Sequence, residues 1–353
     1  MGLPQILIEF KTKGTTAVKR SARGIVALIL KDDTDTSFVT KTYGSIAEVD
    51  AAAWTDANKD YIEKAFMGAP STVIVERVAA AATEYNEALL RLKNKKWNYL
   101  AIPEIGTEQI TSVSTWIKGE RDTDKKTFKA VLPSSTGDHE GIINFTTADI
   151  KAGSKTYSTA EYCSRIAGIL AGMPFSRSAT YYVLSEVESI TESTEPDADI
   201  DAGKLILVND GEKVKIGRAV NSLVTTTATK GEAFKKIKIV DAVDLVRDDI
   251  RDTFDAGYVG NVVNSYDNKV LFLAAVNAYF KELARMDVLD SSYDNLALID
   301  VEAQRTYLVG RGIDVTEMDE QQIKEANTGS LVFAAAAVKF LDAMEDLQFT
   351  VEM

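Results

Sequence analysis

Between Gly24 and Leu132 short apolar runs alternate with amphipathic stretches, and that alternation leaves few folds open. Gly24-Ile25-Val26-Ala27-Leu28-Ile29-Leu30 is apolar without a break and stops at Lys31-Asp32, the pattern of a strand covered on both faces. Spacing predicts a helix over residues 56–67 halted by Gly68, a strand over 71–78, a helix over 84–93, a strand over 98–102, a helix over 108–118 and a strand over 127–132. Such repetition builds βαβ units and a mostly parallel, doubly wound sheet. Residues 142–146 add a short strand. Ser158 and Glu161 form a capping box for a helix that ends at Met173, before Pro174.

Further on, residues 189–203 are acidic and rich in Ser, Thr and Asp, and read as an exposed loop. Residues 205–208 and 214–216 flank Asn209-Asp210-Gly211-Glu212, a hairpin signal. Thr225-Thr226-Thr227-Ala228-Thr229-Lys230-Gly231 reads as a linker and a domain boundary. Beyond it Ile239, Val243, Val246 and Ile250 repeat at helical spacing, as do Val270, Leu273, Val276, Phe280 and Leu283. A shorter helix follows Asp300, another spans about 317–327 before Gly329, and strands close the chain near 331–340 and 347–353. The expected organisation is therefore an N-terminal strand and tether over 1–20, an α/β domain over 21–225 and an α+β domain over 226–353.

Both ends read as strands with no hairpin partner beside them. Ile6, Ile8 and Phe10 share one face near the start, with Leu7 between them, and Leu347, Phe349, Val351 and Met353 alternate with polar residues near the end. An unpaired apolar edge strand invites association, so these segments pair within their own sheet or in a neighbour's. Residues 11–20 have no period and a central glycine; as a tether they could span up to about 33 Å.

Composition narrows the function. The chain has 353 residues and a formal net charge of −13, which argues against nucleic acid as a partner. Cys163 stands alone, so no intrachain disulfide forms, and the chain suits a reducing cytosol. No secretory leader is visible, and the longest apolar run, 331–338, is too short to span or insert into a bilayer.

The chemistry-bearing residues give no catalytic, cofactor or metal site. His139, the lone histidine, sits between Asp138 and Glu140 in a glycine-bounded loop and reads as a solvated turn. Cys163 reads as a small buried residue. Asp197-Ala198-Asp199-Ile200-Asp201-Ala202-Gly203 opens like a calcium loop but has Ala202 and Val208 where Gly and Glu are needed. Neither Ser21-Ala22-Arg23-Gly24 nor Lys230-Gly231-Glu232 has phosphate-loop spacing. Glu317, Glu320 and Lys324 put charge on an exposed helical side, a solvated face or an electrostatic docking surface.

Longer motifs say more. Arg218-Ala219-Val220-Asn221-Ser222-Leu223, Phe234-Lys235-Lys236-Ile237-Lys238-Ile239-Val240-Asp241, Gly260-Asn261-Val262-Val263-Asn264-Ser265-Tyr266-Asp267-Asn268-Lys269, Glu325-Ala326-Asn327-Thr328-Gly329 and Leu341-Asp342-Ala343-Met344-Glu345-Asp346 together resemble the contractile tail sheath proteins of phages, phage-like bacteriocins and prophage remnants. The Leu3-Pro4 opening, Arg23-Gly24-Ile25 and the Leu341–Asp346 ending resemble the short clostridial-type members. The resemblance implies a homo-oligomer of stacked hexameric rings around an inner tail tube, with baseplate and terminator proteins as further partners. It implies synthesis in the bacterial cytoplasm and a place in a released particle. It also implies that both terminal arms complete the C-terminal-domain sheets of neighbours, and the helix with Glu317, Glu320 and Lys324 is the expected tube contact. The rival is a two-domain monomeric binding protein or enzyme whose terminal strands pair within one chain.

Overall fold

A computed structural model describes residues 17–18 and 24–353. Its contacts divide the chain into two units, one of residues 24–245 and 342–353, the other of residues 246–341. The expected N-terminal strand, with Ile6, Leu7, Ile8 and Phe10, lies outside the described residues.

The larger unit begins β1 (Ile25–Lys31), β2 (Thr40–Tyr43), α1 (Asp56–Phe66), β3 (Thr72–Val78), α2 (Asn86–Lys93), β4 (Tyr99–Ala101), α3 (Thr107–Asp122), β5 (Lys129–Pro133) and β6 (Ile142–Phe145). It continues with β7 (Ala148–Ala152), β8 (Lys155–Tyr157), α4 (Thr159–Gly172), β9 (Ser189–Thr191), α5 (Pro196–Asp201), β10 (Lys204–Leu205), β11 (Leu207–Asn209), β12 (Val214–Ile216) and the start of α6 (Ile237–Gly257). Among the described residues the main sheet runs β10-β6-β5-β4-β1-β3-β2. Every pairing in it is parallel except that of β2 with β3.

The uninterrupted apolar run of β1 serves two cores. Val26, Leu28 and Leu30 pack with Tyr61 and Ile62 of α1 and Ile166 and Ile169 of α4. Ile25, Ala27 and Ile29 pack with Leu89 and Leu92 of α2 and Val113 and Ile117 of α3. Alternate side chains of one strand point to opposite faces, so the sheet is wound on both sides as the alternation requires. The Ser158–Glu161 capping box opens α4. A Cβ on Gly168 would lie 2.0 Å from the Ala65 carbonyl oxygen, so only glycine lets α4 approach the end of α1 this closely.

Three expectations for the larger unit need correction. Residues 189–203 are not a plain loop but hold β9 and α5, because Pro196 stands in the first turn and Asp197 and Asp199 favour its N-terminus. Lys204 and Leu205 join the main sheet beside β6 rather than the β11–β12 hairpin. Residues 225–231 fall inside the larger unit, 14 positions before the division at Leu245. They are held there because Asp138 accepts from the Val224 and Thr225 N–H groups and Lys230 reaches Glu140. Residues 347–353 form no strand in their own chain.

The smaller unit contains the end of α6, then α7 (Tyr266–Arg285), β13 (Leu296–Ile299), α8 (Val301–Gly310), α9 (Glu320–Glu325) and β14 (Ala334–Ala337). β13 and β14 pair antiparallel, Leu296 facing Ala337. The strand expected over 331–340 is thus reduced to four alanines, and β13 was missed because its four residues carry too short a pattern to stand out. The helix expected over 317–327 contracts to α9, since Asp319 caps it in a box with Gln322 and leaves Glu317 outside.

Candidate functional site

Residues 342–346 are fastened to the larger unit by charge. The Glu345 carboxylate accepts from Thr180 Oγ1 at 2.6 Å and Ser178 Oγ at 3.1 Å, with Lys236 Nζ at 3.3 Å. Arg218 donates to Asp346 at 2.6 Å, and Lys236 also pairs with Asp342. Arg218 therefore has a concrete task, gripping the approach to the C-terminal segment. Lys236 and Glu345 both lie within motifs noted above, yet 109 positions separate them and no local spacing could have paired them.

Past this latch the segment is bare. Leu347, Phe349 and Val351 are 85%, 79% and 69% exposed. An alternating apolar face left in water invites association.

Among the described residues the smaller unit's sheet has two strands, β13 and β14. On β13, Asn277 of α7 donates to the Ala297 carbonyl at 3.0 Å and accepts from the Ala297 N–H at 2.7 Å. That side chain occupies the outer edge of β13. Among the described residues no further strand lies along the outer edge of β14, and Ala334–Ala337 are exposed throughout. The backbone groups of that edge are the natural acceptor for an added strand.

Other motif residues are structural clamps. Asn221 donates to the Phe234 carbonyl at 2.7 Å, and Ser222 exchanges hydrogen bonds with the backbone of His139. Ser265 caps α7, where Tyr266 and Asp267 form the first turn. Asn264 donates to Thr328 Oγ1 and to the carbonyls of Gly329 and Leu331. Lys324 pairs with Glu320 at 2.5 Å, and Glu317 is exposed.

His139 is not in a solvated turn: it is 6% exposed. Its Nδ1 accepts from the Gly141 N–H at 2.9 Å, which puts the proton on Nε2, 3.3 Å from Asp122 and 3.5 Å from Glu140. Asp122, His139 and Glu140 offer ligand atoms within 4.8 Å of one another. Lys230, however, bridges both carboxylates at 3.4 and 2.9 Å, and Arg121 lies 3.6 Å from Glu140. The charges are matched by side chains, and this is an ion-pair cluster rather than a metal site.

Burial holds the His139 pKa below its ordinary 6.5, with Glu140 and Asp122 opposing in part. The neutral ring is thus favoured by folding, so its stability contribution is complete above about pH 6.5 and is lost as pH falls through the folded value. The expected loss is up to about 1.4 kcal/mol per pH unit. Denaturation at pH 7.0 and 5.5 should show it, and H139Q should flatten that part of the profile; an unchanged slope in the variant would refute the assignment.

At the carboxyl end of β1, where a doubly wound sheet would place a ligand, Asp32 is already engaged. It accepts from the N–H groups of Thr34 and Thr55 and from Asn58 Nδ2. Burial raises its pKa, but those bonds outweigh it and hold the carboxyl at about 2. Cys163 is fully buried at the core side of α4, which pushes its thiol pKa up.

A family profile described as the phage tail sheath C-terminal domain matches residues 229–353. The chain is 40% identical over 364 aligned positions to the tail sheath protein of Clostridium phage phiCD119, covering 100% of this chain and 99% of that one. It is 26% identical to protein XkdK of the phage-like element PBSX of Bacillus subtilis, over 49% of this chain and 38% of the relative. The sheath tail protein of Desulfitobacterium hafniense superposes with a TM-score of 0.72 at 16% identity, covering 84% of this chain and 94% of that one. The helical sheath of the anti-feeding prophage in its contracted state gives 0.73 at 12% identity, covering 100% and 99%. These two structural likenesses show the fold.

Proposed function

The chain belongs to the phage tail sheath protein family, and from that premise we propose that it polymerises as stacked hexameric rings around an inner tube and contracts to drive the tube through a cell envelope. The observations that carry this reading are the β14 edge, which no strand among the described residues fills, and the bare, alternating segment at 347–353. One copy's segment completes the β13–β14 sheet of the next, which is a heterologous contact and propagates into an open array. The N-terminal residues Ile6, Leu7, Ile8 and Phe10 act as a second donated arm, and residues 11–20 as its tether. Contraction runs downhill from a metastable extended array, with strand-donated links kept while other contacts between subunits change.

In this reading the protein is a structural part of a released tail particle, with the tube, baseplate and terminator proteins as partners, and not an enzyme. The monomeric alternative needs residues 347–353 paired in their own sheet, and their exposure speaks against it. Negative-stain electron microscopy of the concentrated protein tests the proposal: striated tubes or stacked rings are expected, and uniform globules even with tube and baseplate proteins present would overturn it. For the tube contact we assign Glu317, Glu320 and Lys324. Reversing their charges together should abolish co-assembly with the tube while leaving the melting temperature unchanged; intact tube loading would reject the assignment.

A further inference from the structure

The receptor that grips Glu345 is shaped by the larger unit's own backbone. Thr180 Oγ1 accepts from the Ala219 N–H at 3.0 Å, and Ser178 Oγ accepts from the Thr180 N–H at 3.1 Å. Fixed this way, the two hydroxyls face the Glu345 carboxylate, together with Lys236 at 3.3 Å and Arg218 at 3.8 Å. The Glu345 side chain is only 6% exposed, whereas Met344 before it and Leu347 after it stand in water. One buried carboxylate therefore pins this stretch of the tail.

The chain on either side shows what the pin prevents. Ahead of it, Lys339–Leu341 are already paired: the Asp290 N–H donates to the Lys339 carbonyl, the Leu341 N–H donates to the Val288 carbonyl, and Phe340 bridges Leu289. Residues 342–346 then link that paired stretch to the bare segment 347–353. Their number suits an ordinary hairpin loop, about two to five residues. Used as a turn, they would lay 347–353 back along its own strand, with Leu347 against Leu341 and Val351 against Ala337. That closure would fill the β14 edge from within one chain and withdraw donor and acceptor together. Over so short a loop it would also outrun a second copy, because effective concentrations across short linkers are on the order of millimolar.

Resting on the strand-donation reading above, we propose that the Glu345 latch guards against self-pairing: with residues 342–346 committed to the larger unit, no turn is left for the segment to close on its own β14. Glu345 is thus a specificity-determining residue that favours a second copy over the same chain. Lys236 and Arg218 supply the charge that holds it, and Ser178 and Thr180 fix where it sits.

The test is a full-length chain carrying A337C and V351C, oxidised mildly at a dilution where copies do not meet. Its closed monomer is read by faster migration on a non-reducing gel. With the latch intact, little internal disulfide should form. E345A should raise the ratio of closed to open chain by about tenfold or more, the shift that losing roughly 1.4 kcal/mol of latch produces. K236M attacks the same latch from the larger unit's side and should act in the same direction, so the outcome does not hang on one variant. If the latched chain stays open and both variants stay open with it, the latch assignment is overturned while donation between copies stands. A latched chain that already closes on itself would overturn the proposal and the donation reading together, because the segment would then serve its own sheet.

Discussion

A chain ending at Asp346 should fold as the full-length chain does and fail to assemble. The removed side chains are 85%, 79% and 69% exposed at Leu347, Phe349 and Val351, so the folded monomer loses almost no contact. The expected change in stability is within about 0.5 kcal/mol. Glu345 and Asp346 remain, so the latch on Arg218 and Lys236 is kept. In the array the same residues would each bury roughly 1.5–3 kcal/mol of apolar surface, with backbone hydrogen bonds adding about 1 kcal/mol each, less the cost of ordering the segment. A net contact of about 4 kcal/mol corresponds to about a thousandfold in affinity, enough to move assembly out of reach at micromolar protein. Sedimentation and electron microscopy read the assembly, and calorimetry reads the fold. A truncated chain that melts far lower would mean instead that the segment completes its own sheet.

The D244N substitution should cost the larger unit about 3–5 kcal/mol and lower its melting temperature by on the order of 10 °C. Asp244 is fully buried in the first half of α6. It accepts from both terminal nitrogens of Arg121, at 2.9 and 3.0 Å, and from Lys129 Nζ at 2.8 Å. Removing one carboxylate leaves two buried cations facing an amide. Asp241, 3.0 Å from Lys129 and hydrogen-bonded to Tyr99, and Glu140, 3.6 Å from Arg121, can answer only part of that charge. Burial raises the Asp244 pKa, but Arg121 and Lys129 more than offset it and hold the carboxyl well below the usual range. Its contribution is therefore present above its unfolded value near 3.8 and drains away as pH falls through the folded one. Acid unfolding of the wild type should show this loss, and D244N should lack it. Chemical denaturation followed by tryptophan fluorescence checks the magnitude; a loss below about 1 kcal/mol would mean that Asp241 and Glu140 already neutralise the cations.

What could be read from the chain, and what could not, divides along sequence separation. The β1 run and the helices after it announce themselves because each pattern is complete within a dozen residues, and both cores follow from alternation alone. Capping of α4 by Ser158 and Glu161 is equally local. The latch is not: Glu345 finds Ser178, Thr180 and Lys236 only through the fold. His139 looked solvated because its neighbours are acidic, but Lys230 and Arg121 arrive from distant segments and neutralise them, which lets the ring be buried. Asn277, which occupies the outer edge of β13 and so leaves β14 as the acceptor, carries no signal in the sequence at all.

Strand exchange between copies is tested most directly by trapping it. One population carries A335C on β14, with A336C as the alternative register, and another carries F349C in the segment 347–353. The native Cys163 is fully buried with its thiol pKa pushed up, so it stays silent. Under mild oxidation of mixed assemblies a disulfide-linked dimer should form only when both populations are present. No dimer in the mixture, together with intramolecular closure in dilute chains carrying both substitutions, would contradict donation between subunits.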